Sequence, residues 1–230
     1  AITAVLFIVS FIVYLKTTCP TVYMGDSGEI IVGVLNLGIV HPPGYPLFCL
    51  LSKPFTYLPW GSMAFRVNLS SVVFASLSVV FTYLFLYHLY LKSFRVIVTK
   101  SSKIQNPHAA ENAPEWVFYL SAAVTALCFA FSRGFWSQAL IAKGALYTLN
   151  MLILTSGLYV IMKWEENVRN MNLLYLFAFI CGLGFANHNI FAPLTILFFN
   201  YIVYVWFLEV KPDKITPWNI FKFVFCQFMA

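Results

Sequence analysis

The chain has 230 residues, of which 61% are hydrophobic and 10% are charged, with a formal net charge of +6. Soluble domains carry about 25% charged residues, so this composition weighs strongly against a water-soluble fold. The apolar runs are continuous rather than alternating, which predicts an all-α polytopic membrane protein.

Six apolar segments and the start of a seventh predict helices along the chain. They cover residues 1–15, 66–91, 116–132, 145–162, 172–186 and 190–208, then continue from 220. Because the sequence starts and stops within apolar segments, we expect residues 1–230 to form the N-terminal transmembrane module of a longer chain. Its first long loop, residues 17–65, contains Cys19 and Cys49, which we expect either to pair or to remain two free thiols.

The distribution of basic residues predicts the orientation of these helices. If successive segments alternate in direction, the loops at 92–115, 163–171 and 209–219 share one side and carry eight Lys and Arg residues, against five on the other. Lys and Arg accumulate in cytoplasmic loops, so the other side is predicted to be luminal. Basic residues divided among membrane loops do not indicate nucleic-acid binding.

Asp26 and Glu29 are the only acidic residues that this topology places on the luminal side. One interpretation is a helix N-cap, in which Asp26 or Ser27 accepts early backbone N–H bonds and Glu29 reaches back. The other is catalytic, because an ionised carboxylate fixed at a helix start can act as a general base toward a hydroxyl.

The sequence HPPGYP, residues 41–46, follows on the same side and predicts a rigid turn. It serves either to return the chain to the membrane or to hold His41 and Tyr45 as hydrogen-bond donors near the two carboxylates. Irregular backbone at membrane depth is expected only where it lines a cavity or is buried in protein.

Two further luminal turns contain polar residues. The stretch 133–148 carries Arg133, Gln138 and Lys143, of which the two cations are either interfacial anchors or ligands of an anion such as a lipid phosphate. The stretch 184–190 carries Asn187 and His188, which form either a tight turn or a polar functional site.

Arg66 opens the second apolar segment, where an interfacial anchor is the favoured interpretation. It completes the set of candidate substrate-binding residues, which are His41, Tyr45, Arg66, Arg133, Gln138, Lys143, Asn187 and His188.

Three stretches carry a family resemblance: GDSGEIIVGVLNLGIVHPPGYPL, FWSQALIAKGALYTLN and GLGFANHNI. They resemble the transmembrane protein O-mannosyltransferases, which are glycosyltransferases of the GT-C type. The resemblance implies a GT-C-like helix bundle in the endoplasmic reticulum membrane, with short helices in the luminal first loop. It also implies dolichyl-phosphate-mannose as donor, and as acceptors the luminal IPT domains of plexins and hepatocyte-growth-factor-receptor-type proteins.

The resemblance further implies roles for individual residues. Asp26 takes the proton from a Ser or Thr hydroxyl, Glu29 orients or tunes Asp26, and His41 and Tyr45 shape the sugar pocket. The charge of the departing phosphate is offset by cationic donors, namely Arg133, His188 and Lys143. No metal and no cofactor beyond the lipid-linked donor are expected, since a lipid phosphate is already a good leaving group.

Two other functions remain open at this point. One is a membrane transporter or channel, although such proteins more often place ionisable residues near the bilayer midplane in broken helices. The other is a GT-C enzyme that acts on lipid-linked glycans, which shares the local chemistry with a protein O-mannosyltransferase.

Overall fold

The computed structural model describes residues 1–102, 114–209 and 218, and within this part the chain is helical with no strand. The α-helices are α1 (Ile2–Thr17), α2 (Ser27–Asn36), α3 (Pro46–Ser52), α4 (Met63–Ser102), α5 (Glu115–Ala130), α6 (Arg133–Gln138), α7 (Ala142–Glu166), α8 (Met171–Asn187) and α9 (Phe191–Glu209), and a 3₁₀ helix covers Lys53–Tyr57. The all-α expectation is confirmed, and each of the first six apolar segments forms a helix. The predicted segment from 220 lies outside the described residues, as does the loop at 209–219 apart from its first residue and Trp218.

Two helical stretches, Met63–Ile97 and Ala142–Glu166, are long and apolar enough to cross a membrane. The other apolar helices of the described chain are shorter, at 10–17 residues by the same measure. The membrane character of the chain is therefore supported, whereas a multi-pass GT-C bundle remains a prediction.

The predicted loop at 92–115 begins later than expected. Helix α4 continues to Ser102 and includes Lys92 and Arg95. Neither Gly nor Pro interrupts this stretch, and Lys and Arg are good helix formers. Lys92 also pairs with Glu165 of α7, which holds this part of α4 against its neighbour.

Helices α4 and α7 form the centre of the bundle, with α1 and α5 against α4 and with α8 against α7. Small hydroxyl residues line their interface. Ser78 donates to the Thr148 carbonyl at 3.1 Å, and Ser71 Oγ lies 3.4 Å from Thr148 Oγ1 and donates to the carbonyl of Gln138 in α6 at 2.7 Å. Small residues allow close helix approach, and their hydroxyls bond across the interface, which is typical of packing in membranes.

The first loop folds onto one end of this bundle. Ile30, Val34 and Phe48 of its short helices are fully buried in a cluster that includes Leu146 and Leu149 of α7. These contacts confirm the prediction of a first loop that contains short helices, and they place α2 and α3 against the start of α7.

Hydrogen bonds from the start of the loop fix it further. Cys19 donates its backbone N–H to the Leu140 carbonyl at 3.0 Å, and Asn68 donates to the Cys19 carbonyl at 2.8 Å. Cys19 and Cys49 are both free thiols, so of the two states left open by the sequence the structure has the unpaired one.

Candidate functional site

Asp26 lies immediately before α2, after a turn in which Gly25 adopts a positive φ of 74°. That conformation favours glycine and directs the chain into the helix start. The Asp26 side chain makes no capping hydrogen bond. Its Oδ2 atom instead lies 2.7 Å from Nζ of Lys143. The capping interpretation of Asp26 is therefore wrong, and the carboxylate is held by a residue of α7.

Glu29 is likewise engaged away from the helix start. Its Oε1 accepts the backbone N–H of His41 at 2.7 Å, and its Oε2 lies 2.9 Å from His41 Nδ1. The side-chain hydrogen bond from His41, followed by the backbone one, lowers the pKa of Glu29 below its ordinary value. Glu29 therefore closes the α2–α3 turn by fixing His41, a role that its place in a capping box would not have given it.

Lys143 is positioned by the junction between α6 and α7. A Cβ atom at Gly144 would overlap the Gln138 carbonyl oxygen, so only glycine lets the start of α7 pass so close to α6. The same carbonyl accepts the hydroxyl of Ser71. Gln138 thus contributes to this junction through its backbone, whereas the sequence predicted a donor-binding side chain.

Four aromatic rings form a continuous row beside the two carboxylates. The ring centroids of His41 and Tyr45 are 5.6 Å apart, those of Tyr45 and His188 are 5.8 Å apart, and those of His188 and Tyr147 are 6.2 Å apart. Three separate segments supply these rings: the α2–α3 turn, the α8–α9 turn and α7. We call Asp26, Glu29, Lys143 and the four rings the Asp26 site.

Tyr147 is the member of the Asp26 site that the sequence did not indicate. It lies four residues after Lys143, so the two side chains share one face of α7. Because Lys143 is a candidate, this spacing of four residues on a predicted helix could have indicated Tyr147 from the sequence. Tyr147 is 43% exposed, which leaves its ring and hydroxyl accessible to a ligand.

Tyr45 is held in an uncommon backbone conformation at the start of α3, with φ 50° and ψ 48°. A bulky residue adopts this left-handed region rarely, and such residues cluster at binding and catalytic sites. The side chain is almost fully buried, and burial raises the pKa of its hydroxyl. The hydroxyl therefore remains protonated and able to donate a hydrogen bond.

Asn187 and His188, the two candidates in the α8–α9 turn, have different surroundings. His188 is half-buried, and its Nδ1 accepts the backbone N–H of Ile190 at 3.1 Å, so a neutral ring carries its proton on Nε2. Asn187 is buried and donates to Asn150 Oδ1 at 2.7 Å and to the Leu146 carbonyl at 3.1 Å. Asn187 thus joins α8 to α7, while His188 faces the ring row.

The two candidate arginines are not part of the Asp26 site. Arg66 donates to the carbonyls of Thr56 and Trp60, which agrees with the favoured role as an anchor. Arg133 is exposed at the start of α6, and its side chain forms no ion pair or hydrogen bond with any residue of the described chain. A role for Arg133 in donor binding remains a prediction.

The charges of the Asp26 site set the state of its principal carboxylate. The hydrogen bond from Lys143 and then its charge hold the pKa of Asp26 below the ordinary value of 3.8, and His41 contributes in the same direction. Asp26 is therefore ionised at neutral pH. Among the described residues, no group of three or more His, Cys, Asp or Glu side chains is arranged to hold a metal ion.

Comparison with known proteins places this architecture in a family. The family model described as "Protein O-mannosyl-transferase TMEM260 N-terminal domain" matches residues 26–213, which include every member of the Asp26 site. The chain belongs to the TMEM260 N-terminal domain family. No solved structure gives a significant match to the chain.

Two named relatives of the TMEM260 family illustrate the similarity. The mouse "Protein O-mannosyl-transferase TMEM260" is 30% identical over 188 residues, which is 80% of this chain and 22% of the mouse protein. The Dictyostelium discoideum "Protein O-mannosyl-transferase tmem260" is 29% identical over 215 residues, which is 87% of this chain and 23% of that protein. The chain therefore spans less than a quarter of the length of these curated relatives.

Proposed function

We propose that this chain is the catalytic part of a protein O-mannosyltransferase that moves mannose from dolichyl-phosphate-mannose to Ser or Thr hydroxyls. Membership of the TMEM260 family supports the reaction class. The observation that carries the assignment to a site is the Asp26–Lys143 pair, in which an ionised carboxylate and a cation lie together beside a row of aromatic rings. In a glycosyl transfer from a lipid phosphate, a carboxylate can take the proton of the acceptor hydroxyl and a cation can offset the charge of the leaving phosphate.

The proposed step is a direct displacement at the anomeric carbon of mannose. The acceptor hydroxyl oxygen forms a bond to that carbon, and Asp26 takes the hydroxyl proton. The bond between the anomeric carbon and the phosphate oxygen breaks, and its electron pair leaves with the dolichyl phosphate. Asp26 suits the task because it is ionised at neutral pH and 42% of its side chain is exposed, so a hydroxyl can reach it.

The phosphate charge in this mechanism is offset by the cationic and N–H donors of the site. Lys143 supplies a full positive charge, and His188 supplies Nε2–H, oriented by the hydrogen bond that its Nδ1 accepts. Arg133 is an additional candidate, because an exposed arginine at the start of α6 is accessible to a phosphate.

The sugar is proposed to lie along the ring row. Aromatic faces pack against the apolar C–H faces of sugars, and the exposed Tyr147 also carries a hydroxyl for the polar edge, while the buried Tyr45 joins His41 to His188 within the row. Glu29 acts indirectly in this arrangement. By binding both the backbone and the ring of His41, it fixes one end of the row.

The location and the acceptors belong to the same proposal. We place the Asp26 site on the luminal side of the endoplasmic reticulum membrane, with luminal IPT domains of plexin and growth-factor-receptor type as acceptors. The basic-residue asymmetry supports the sidedness. The resemblance of the three quoted stretches to the IPT-directed O-mannosyltransferases supports the acceptors.

Asp26→Asn in the full-length protein tests the mechanism. Asn has nearly the same shape as Asp, and Asp26 makes no capping hydrogen bond that the substitution could remove. Expression and folding should therefore be unchanged. The substitution removes the basic oxygen, and loss of a general base typically costs about 10²- to 10⁴-fold in rate. Transfer of mannose from dolichyl-phosphate-mannose to a purified IPT domain, read by mass spectrometry, gives the result.

Glu29→Gln is the matched control, because it removes the neighbouring carboxylate and keeps a side chain that can bond His41. We expect a milder loss of transfer than with Asp26→Asn. Full transfer activity in a folded Asp26→Asn protein would overturn the assignment of the base. If wild type instead transfers mannose only to a lipid-linked glycan offered in the same assay, the acceptor assignment is wrong and the base assignment stands.

A further inference from the structure

Lys143 is the lysine cation of the Asp26 site. In the part of the chain that the structure describes, Asp26 is its sole ion-pair partner, and the side chains of the pair are 38% and 42% exposed. Glu29 is occupied by His41 and offers Lys143 no second carboxylate. The cation therefore depends on one exposed contact, and such contacts stabilise weakly, by a factor of about 1.4 to 5 in equilibrium terms.

The surroundings of Lys143 allow it to change partners. Its ammonium group is a compact charge with three hydrogen-bond donors on a flexible stem, so it can turn without movement of α7. Gly25 lies close to this group, since a Cβ atom there would be 3.7 Å from Nζ, and as a glycine it places no side chain against it. An anion that enters between the first loop and α7 meets Lys143 directly.

Such an anion competes with Asp26 for the same cation. The phosphodiester of the donor carries one negative charge, as a carboxylate does, and gains a second one only as the sugar departs. Its two non-bridging oxygens can accept hydrogen bonds from Lys143 and from Nε2–H of His188, whose ring belongs to the same row. Among the described residues, the side chain of Asp26 accepts its hydrogen bond from Lys143. The charged and titratable groups that face it are Lys143 from α7 and His41, Glu29 and Tyr45 from the first loop.

We propose that Lys143 exchanges partners during the reaction: it neutralises Asp26 before the lipid-linked donor binds and turns to the donor's phosphate afterwards, which frees Asp26 to accept a proton. The inference rests on the proposed function, because it identifies the anion with the donor's phosphate. The exchange couples activation of the acceptor hydroxyl to the presence of the leaving group. Asp26 becomes an effective base only when a phosphate, and hence a leaving group, is in place.

The exchange also explains how a carboxylate that is paired with a lysine can act as a base. A carboxylate bound to lysine is a weak base, because the hydrogen bond and the charge of Lys143 both hold its pKa down. Departure of Lys143 and arrival of a negative phosphate both act in the opposite direction. Before the donor binds, the base is thus held in a neutralised pair, and the donor itself releases it.

Binding of dolichyl monophosphate tests the exchange without any sugar or acceptor. The full-length protein in lipid nanodiscs is titrated at one fixed pH as wild type, Asp26→Asn, Lys143→Met and Glu29→Gln. Removal of the competing carboxylate in Asp26→Asn should tighten lipid-phosphate binding by about two- to fivefold. Lys143→Met should weaken it, and Glu29→Gln should change it less than Asp26→Asn, since Glu29 is paired with His41 rather than with Lys143.

Two controls keep the result interpretable. Asp26→Ala repeats the key substitution without an amide that could itself bond Lys143, and it should also bind more tightly than wild type. Dolichol, which lacks the phosphate, should bind all of the proteins alike, because the exchange concerns the charge alone.

Specific outcomes would overturn the exchange. Equal or weaker binding by both Asp26 variants would show that Asp26 and the phosphate do not compete, and unchanged binding by Lys143→Met would remove the lysine from the phosphate site. These outcomes are distinct from failure of the proposed function. A protein with the expected binding pattern that transfers no mannose keeps the exchange and loses the sugar or acceptor assignment.

Discussion

Asp26 is held ionised and in place by Lys143, and the same neighbour makes it a weaker base. Lys143 fixes the carboxylate in place at 2.7 Å and keeps it ionised, and the same contact lowers its affinity for a proton. A carboxylate with a lowered pKa is a weak base, and it stays deprotonated until the pH falls below that pKa. The chemistry of the site therefore depends on whether Lys143 is present beside the carboxylate.

The pH dependence of transfer should report this contact. In wild type the acidic limb of kcat/KM reflects the free enzyme, where the pKa of Asp26 lies below 3.8. Lys143→Met removes the largest cause of the shift, so the pKa rises and activity should be lost at a higher pH on acidification. The measurement is kcat/KM for dolichyl-phosphate-mannose between about pH 3 and 7, the range that spans ordinary carboxyl and histidine pKa values.

The partner exchange adds a comparison within the same data set. The acidic limb of kcat reports the donor-bound enzyme, so in wild type it should lie at higher pH than the limb of kcat/KM. In Lys143→Met the separation between the two limbs should shrink. Coincident limbs in wild type would contradict the exchange, and an unshifted limb in Lys143→Met would contradict control of Asp26 by Lys143.

At the level of secondary structure, the critical element is the junction between α6 and α7. Lys143 lies in the first turn of α7, so its position follows from how closely that turn approaches α6. Gly144 permits the contact with the Gln138 carbonyl, and Ser71 of α4 fixes the same carbonyl from the other side. The helix start, rather than the lysine side chain, is thus the part of the site that tolerates least change.

Gly144→Ala should disturb this junction. The added methyl overlaps backbone rather than a flexible side chain, and overpacking of this kind typically costs about 1–3 kcal/mol. We expect a lower unfolding temperature in detergent and a raised KM for the lipid donor, because Lys143 moves with the helix start. The matched control is Gly134→Ala on α6, where a Cβ meets no atom within 4 Å. An equal effect of the two substitutions would show that the close approach is unimportant.

Over the whole molecule, charged groups occur at both ends of the bundle. One end holds the Asp26 site. The other holds the contacts of His88 with Glu166 at 3.1 Å and of Lys92 with Glu165, which join α4 to α7. The topology derived from basic residues assigned these ends to opposite sides of the membrane, and the contacts agree in placing the two groups apart along the same helix pair.

Single cysteines introduced at opposite ends should therefore label from opposite sides of intact vesicles. Ile39 in the α2–α3 turn is 96% exposed, and Asn167 is exposed after α7, so both positions are accessible to a membrane-impermeant thiol reagent. The background lacks the five native cysteines. Labelling of Ile39→Cys and Asn167→Cys from the same side would refute the predicted topology and the luminal position of the Asp26 site.

The sequence alone determined the helices and the motif-bearing turns, because runs of apolar residues and the positions of Gly and Pro act locally. It also indicated that Asp26, His41, Lys143 and His188 belong to one face, since alternation of helices and the distribution of charge require no knowledge of packing. The family resemblance rested on the same local stretches.

Only the tertiary structure decided which of those residues meet. Asp26 pairs with Lys143 rather than with its own helix, Tyr147 joins the ring row, and Arg66 bonds backbone carbonyls outside the site. These contacts depend on the rotation of α7 and on the depth at which the first loop packs against it. Rotation and depth arise from packing between residues distant in sequence, such as Phe48 and Leu149 in one buried cluster, and no local pattern encodes them.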